Sequence, residues 1–263
     1  MAERLKGMPS SGAFLKFLGT AGARFVMIKQ LRASGGIWVA NGRANVIIDP
    51  GPGSIVRCAA SRPKLDPSRL DAIILTHRHL DHSNDINVMI EAMTEGGFKK
   101  RGTVFCPSDA LGEDAAILKY ALEFPERIVR LKPESSYTVG DFTFRTSLRH
   151  VHPVETYGLK FTLQGKEVSL VADTRYFNEL GGFYRNSDIL IVPVVFVEPR
   201  AGIDHLSLPE AAEFIREAKP RKAVLTHFGM TMLKAKPQDC AERLARDLGI
   251  DIVAAYDGMR MEF

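Results

Sequence analysis

The run Ala72-Ile73-Ile74-Leu75 is apolar at every position. A strand of that kind cannot leave either face in water, so it has to lie inside a layered structure, covered on both sides. It leads directly into Thr76-His77-Arg78-His79-Leu80-Asp81-His82. That places His77, His79, Asp81 and His82, four potential metal donors within six residues, at the rigid end of a buried strand. Histidine is sparse, seven in 263 residues, and a chance His-x-His-x-Asp-His match has a probability of roughly three in ten thousand. Four donors so close in sequence cannot all address one ion. His77 and His79 alternate onto one side, while Asp81 and His82 turn to the other, which favours two adjacent ions. Imidazole and carboxylate donors suit zinc, and also manganese or iron.

The rest of the chain alternates strand-like and helix-like segments. Strands are expected at Ala13–Leu18, at Ile37–Ala40 and Ala44–Ile48 around an Asn41-Gly42 turn, and at Thr103–Cys106. More follow at Ile128–Leu131, Ser136–Thr138, Phe142–Thr146, Leu159–Leu163, Val168–Ala172 and Ala223–Leu225. The nine-residue run Ile189–Val197 contains Pro193 and is too short to span a bilayer, so it reads as a buried strand. Helices are expected at Ser54–Ser61 with Ser54 as cap, Asp85–Met93, Ala110–Leu122 and Gln238–Leu248. Ser207-Leu208-Pro209-Glu210 is a capping box opening a helix to about Ala218. A final hairpin is expected over Ile252–Phe263, turning at Asp257-Gly258, and Trp38 is expected in the core. With no repeat or linker in view, residues 1–263 read as one α+β domain of packed sheets with helices outside.

Composition sets the outer bounds. An apolar fraction of 45% and a charged fraction of 25% exclude a disordered chain or a fibre. The three cysteines form no C-x-x-C pair, so neither a disulfide framework nor a cysteine zinc ribbon is expected, and a cytoplasmic location fits. Met1–Ser11 lacks the apolar core of a signal peptide. A net charge of +4 permits an anionic substrate without requiring nucleic acid.

The histidine segment resembles the signature of the metallo-β-lactamase superfamily, whose members fold as an αββα sandwich: two mixed β-sheets face to face, helices outside, and a two-metal site at one edge. Val46-Ile47-Ile48-Asp49-Pro50-Gly51, Val171-Ala172-Asp173-Thr174 and Leu225-Thr226-His227-Phe228 look like further elements of that pattern. The resemblance implies one divalent ion on His77, His79 and His152 and another on Asp81, His82 and His227, with Asp173 bridging. His150 and His152 would share a face of one strand, so either could reach the metal on spacing alone. The family places a glycine, usually beside an aromatic, six residues after its ligand, and Tyr157-Gly158 fits His152. His150 is then left to a supporting role, as is Asp49, which would orient a ligand histidine.

The superfamily also includes a phosphodiesterase and ribonuclease Z-like branch, and three features resemble it. A histidine at the position of His205 would face the scissile phosphate and, with Asp81, make the catalytic pair. Arg175 could contact an anion. The stretch from Gly19-Thr20-Ala21-Gly22 to Arg32-Ala33-Ser34-Gly35-Gly36 is similar to the opening of that branch. His152 and Asp173 are only 21 residues apart, which leaves no room for the tRNA-binding arm of ribonuclease Z. The resemblance therefore implies a phosphodiesterase acting on a small or cyclic phosphodiester through a metal-activated nucleophile, with a lactonase or other ester hydrolase as the alternative. No membrane is expected as partner and tRNA is disfavoured; a homo-oligomer is left open.

Overall fold

The computed structural model describes residues 12–263. The signal-peptide reading of Met1–Ser11 lies outside them. The elements in the first half are β1 (Phe14–Phe17), α1 (Ala23–Ile28), β2 (Ile37–Ala40), β3 (Asn45–Ile48), α2 (Ser54–Ala60), β4 (Ala72–Ile74), α3 (Leu80–Ser83), α4 (Ile86–Met93), β5 (Thr103–Cys106) and β6 (Arg127–Arg130). Then come β7 (Ser136–Val139), β8 (Phe142–Arg149), β9 (Tyr157–Leu163), β10 (Lys166–Leu170), α5 (Leu180–Tyr184), β11 (Ile189–Pro193), α6 (Leu208–Ala218), β12 (Lys222–Thr226), α7 (Met230–Lys234), α8 (Pro237–Leu248), β13 (Asp251–Ala254) and β14 (Arg260–Glu262).

The strands form two seven-stranded mixed sheets, ordered β14-β1-β2-β3-β4-β5-β6 and β13-β12-β11-β10-β9-β8-β7. The period-2 alternation of the buried strands explains the layering. On β4, Ala72 and Ile74 point into the core shared by the sheets, with Phe17, Val46, Phe144, Leu159 and Ile191. Ile73 points the other way, joining Trp38, Met89 and Ile90 beneath α2 and α4. The β11 residues divide likewise, Ile189 and Ile191 inward, Leu190 and Val192 outward under Phe214, Ile215 and Leu244 of α6 and α8. Each fully buried aliphatic side chain contributes on the order of 1.5–3 kcal/mol, so the expected αββα order follows from where the apolar residues fall.

Three local expectations are corrected. Ala110–Leu122 is not an α-helix but two short 3₁₀ turns, Ser108–Leu111 and Lys119–Glu123. The Asn87 side chain intercepts the backbone between them: Leu118 N donates to Asn87 Oδ1 at 2.8 Å, and Asn87 Nδ2 donates to Ala116 O at 2.9 Å. Ser54 is the first residue of α2 rather than its cap, and its hydroxyl instead donates to Gly51 O at 2.8 Å. The last two strands make no hairpin. β13 pairs with β12, whereas β14 crosses over to pair with β1 in the other sheet. Asp257 anchors that crossover by accepting from Thr20 N, Thr20 Oγ1 and Ala33 N at 2.7–2.9 Å. No helix among the described residues is long and apolar enough to cross a membrane.

Candidate metal centre

The strands β3, β4, β8, β10 and β12 all end at one edge of the sandwich, and each carries a titratable side chain just beyond its end. Asp49 follows β3, His77 follows β4, His150 and His152 follow β8, Asp173 follows β10, and His227 follows β12. His79 immediately precedes α3, which carries Asp81 and His82. The sheets thus bring together seven donors from four segments of chain: 77–82, 152, 173 and 227.

The donors divide into two compact groups that could each hold a metal ion: His77, His79 and His152, and Asp81, His82, Asp173 and His227. His79 Nδ1 and His152 Nε2 converge to 3.0 Å, and His82 Nε2 and His227 Nε2 to 2.9 Å. Asp173 Oδ2 lies between the groups, 3.7 Å from His77 Nε2 and 3.5 Å from His82 Nε2. A third grouping, Asp49 with His77 and His82, is already committed elsewhere. Asp49 accepts from Thr76 N, Thr76 Oγ1 and His82 Nδ1 at 2.7, 2.7 and 3.0 Å. Because Thr76 Oγ1 donates to Asp49, it receives the His77 Nδ1 proton at 3.1 Å. One Asp-Thr pair therefore fixes the tautomer of two histidines and turns both Nε2 atoms toward the cluster.

Burial and charge set protonation states suited to a cation. Burial, then the nearby His82, holds His77 well below its usual range. Burial also brings His152 down to about 4 and lowers His79. These rings are neutral lone-pair donors. Burial alone would raise Asp81 and Asp173, but the surrounding imidazoles outweigh it and keep both below the usual carboxylate range. Burial would lower His82, yet Asp81, Asp173 and Asp49 together hold it well above its ordinary value. Concentrated carboxylate charge draws a proton onto His82, and a divalent ion would supply the same neutralisation. Four polar atoms at the site, His77 Nε2, Asp173 Oδ1, His205 Nδ1 and His227 Nδ1, are buried without a hydrogen-bond partner. Buried polar atoms are rarely left so, and three of the four belong to His77, Asp173 and His227 of the donor groups, which fits metal coordination.

Two backbone positions carry the cost of this arrangement. Asp49 and His227 both adopt left-handed φ values, +53° and +57°, a region that costs a non-glycine residue on the order of 1–3 kcal/mol. Gly22 makes the His227 conformation accessible: a Cβ there would fall inside the His227 carbonyl.

His150 and His152 do not share a strand face. β8 ends at Arg149, and the loop beyond it turns the two rings in different directions. His152 faces His79 and donates from Nδ1 to Asp204 O at 3.0 Å. His150 donates from Nδ1 to Asp173 O at 3.3 Å and accepts the Tyr184 hydroxyl at Nε2, 2.8 Å away. His205 sits 3.5 Å from Asp173 Oδ2, outside both donor groups and on the floor of an open cleft. Arg175 is not among the cleft-lining residues; it is largely exposed and lies 3.9 Å from Asp204. That cleft has a wall supplied by α1, which six residues without a complete helical repeat do not announce in the sequence.

The sequence profile described as beta-lactamase superfamily domain matches residues 44–228. An uncharacterized protein of Methanocaldococcus jannaschii, MJ1374, is 30% identical over 94% of this chain and 93% of its own length. The probable metallo-hydrolase YhfI of Bacillus subtilis is 28% identical over 74% of this chain and 80% of its own. The YhfI crystal structure superposes over 96% of this chain and all of its own with a TM-score of 0.76 at 22% identity. A structure described as a new diphosphatase from the PhnP family gives a TM-score of 0.72 at 18% identity, covering 95% of this chain and 98% of that one. A profile match across well over half the chain, joined to two sheets that gather His and Asp donors at one edge, places this protein in the metallo-β-lactamase superfamily of metal-dependent hydrolases.

Proposed function

We propose that the protein is a dinuclear metal-dependent phosphodiesterase acting on a small or cyclic phosphodiester. The observation that carries the reading is Asp173, whose Oδ2 stands between the two donor groups with His205 Nδ1 facing it at 3.5 Å. His77, His79 and His152 would hold one ion, Asp81, His82 and His227 the other, and Asp173 both. Bound there, two divalent ions, zinc first and manganese or iron on the same donors, supply Lewis acidity and a nucleophile active near neutral pH.

The chain's own groups do the remaining work. Asp49 and Thr76 keep the ring nitrogens of His77 and His82 aimed at the centre. His205, on the cleft side of Asp173, is placed to stabilise charge on the phosphate or to protonate the departing oxygen. Burial, which lowers its pKa, favours the first role, as a neutral N–H donor near pH 7. The segment between His152 and Asp173 is spent on the β9–β10 hairpin, turning at Gln164-Gly165, which supports a small substrate over tRNA. The relative described as a PhnP-family diphosphatase supports phosphorus chemistry. Cys58, Cys106 and Cys240 are free and buried, and a reducing cytoplasm is the location proposed for the chain.

The test is metal analysis of the purified protein with parallel assays on bis-p-nitrophenyl phosphate, a lactone and nitrocefin. The expected result is two metal equivalents and phosphodiester turnover, lost in Asp173→Ala. Turnover that survives Asp173→Ala would overturn the metal mechanism. Lactone turnover without phosphodiester turnover would make the protein a lactonase. His205→Ala is expected to slow cleavage with metal content intact, and loss of metal would make His205 a ligand instead.

A further inference from the structure

The metal-donor edge opens into a cleft of about 860 Å³ whose floor includes His79, Asp81, Asp173 and His205. A volume in that range suits a ligand of drug or nucleotide size and far exceeds what a bare cyclic phosphate needs. The walls are apolar and exposed. Phe25 and Ile28 of α1 are 61% and 65% exposed, Leu80 is 66% exposed, and Ile203 on the facing loop is 41% exposed. Large apolar side chains clustered in water around one opening mark a binding surface. Two cations, Arg24 and Arg200, line the same cleft. The Arg200 guanidinium carbon lies 4.6 Å from the Phe196 ring centroid, a cation–π contact that places a cation and an aromatic ring side by side on this wall.

We infer that α1 and the Phe196–Ile203 loop form a subsite for a planar aromatic group attached to the scissile phosphate. This rests on the phosphodiesterase reading of the same site. Continuity and charge point to that occupant. The apolar walls rise from the proposed reacting centre itself, so whatever fills them is joined to the reacting group, and the two arginines match an anionic ester. A planar ring covers Phe25 and Ile28 while stacking on the Arg200–Phe196 pair. A small aliphatic ester would leave those walls wet.

Three five-membered cyclic phosphates separate the possibilities because the bond broken is the same in each: ethylene phosphate, the cyclic phosphate of phenylethanediol, and adenosine 2′,3′-cyclic phosphate. With the metal-loaded protein, at least one of the two ring-bearing esters is expected to exceed ethylene phosphate in kcat/KM by about tenfold or more, chiefly through KM. A gain for both identifies generic aromatic recognition, and a gain for the adenosine ester alone identifies a nucleobase. The double variant Phe25→Ala with Ile28→Ala is expected to narrow the ratio to within about twofold, with an unchanged melting curve showing that the fold is kept.

Equal turnover of all three esters would overturn the subsite and leave the phosphodiesterase reading standing. A ratio unmoved by the double variant would also overturn it, and a simultaneous change in sedimentation would make α1 an interface between copies of this chain. If none of the esters is cleaved although metal is bound, the phosphodiesterase reading fails, and calorimetry with phenyl phosphate against ethyl phosphate then decides the subsite. Tighter binding of phenyl phosphate by about tenfold would uphold aromatic recognition, and equal binding would end it.

Discussion

The Tyr184 hydroxyl lies 2.8 Å from His150 Nε2, and this bond keeps His150 out of the metal-donor groups. The Asp173 carbonyl can only accept, so His150 carries its proton on Nδ1 and offers Nε2 to the phenol. Burial brings His150 down to about 4, which keeps that tautomer neutral near pH 7. The pair ties α5 to the backbone of Asp173. Losing the imidazole strands a buried phenol, so His150→Ala is expected to cost about 1–3 kcal/mol, against about 1 kcal/mol for Tyr184→Phe. The two effects should be less than additive in urea unfolding because they remove the same bond. Metal stoichiometry should stay at the wild-type value in both variants. Loss of an equivalent in His150→Ala would make that residue a ligand.

Gly158 is explained by the same contact. A Cβ there would fall inside the Tyr184 hydroxyl and come within 2.9 Å of Leu170 O. Gly158→Ala is therefore expected to destabilise the protein by about 1–3 kcal/mol through overpacking. Adding Tyr184→Phe removes the oxygen in the way and should recover part of the loss. A double variant no more stable than Gly158→Ala alone would show that the remaining clashes, with Leu170 O and with the ring Cζ of residue 184, both at 2.9 Å, dominate.

What could be read from the chain was set by range. The strand Ala72–Ile74, the donor loop beyond it and the Ser207–Glu210 capping box are local patterns, and each stands where the sequence puts it. The misread segments are those decided by distant partners. Asn87 diverts the backbone of 116–118 from a helix, and Asp257 trades a hairpin turn for Thr20 and Ala33 across the chain. His150 and His152 are equivalent on reach along a strand; the Tyr157-Gly158 pair favours His152 by resemblance, and the end of β8 and the position of Tyr184 give the physical separation. The cleft wall was invisible for a related reason: Phe25 and Ile28 acquire meaning only once α1 stands beside the donor loop.

Burial pushes the Cys58 and Cys106 thiols up to about 12 from an ordinary 9.0. Neither should react with a water-soluble disulfide reagent in the native protein at pH 8, while urea should expose both. The folded state prefers the neutral thiol, so the unfolded chain gives up its protons first as pH rises. Each cysteine's contribution is intact below about 9 and is lost between about 9 and about 12. Urea midpoints should fall over that window, and the variant Cys58→Ala with Cys106→Ala should fall less steeply. Equal slopes would mean that other groups account for the alkaline loss.

Asp49 gives the sharpest test of how the centre is supported. It touches no proposed substrate position, yet it accepts the His82 Nδ1 proton at 3.0 Å and the Thr76 hydroxyl that in turn receives His77 Nδ1. Asp49→Asn is the informative change because asparagine tolerates the left-handed backbone at φ +53° as readily as aspartate. Any effect then reports the lost carboxylate rather than strain. Metal affinity, measured by competition with a chromophoric chelator, is expected to weaken by about 10–100-fold. Excess metal should restore the proposed hydrolytic turnover, since the proposed direct donors are untouched. Chelation should lower the melting temperature of the native protein, because an ion bound only to the folded state stabilises it by mass action. The same treatment should move Asp49→Asn less at matched metal concentration. An unchanged affinity in Asp49→Asn would mean that Asp49 serves only to close the end of β3, through its bond from Thr76 N at 2.7 Å.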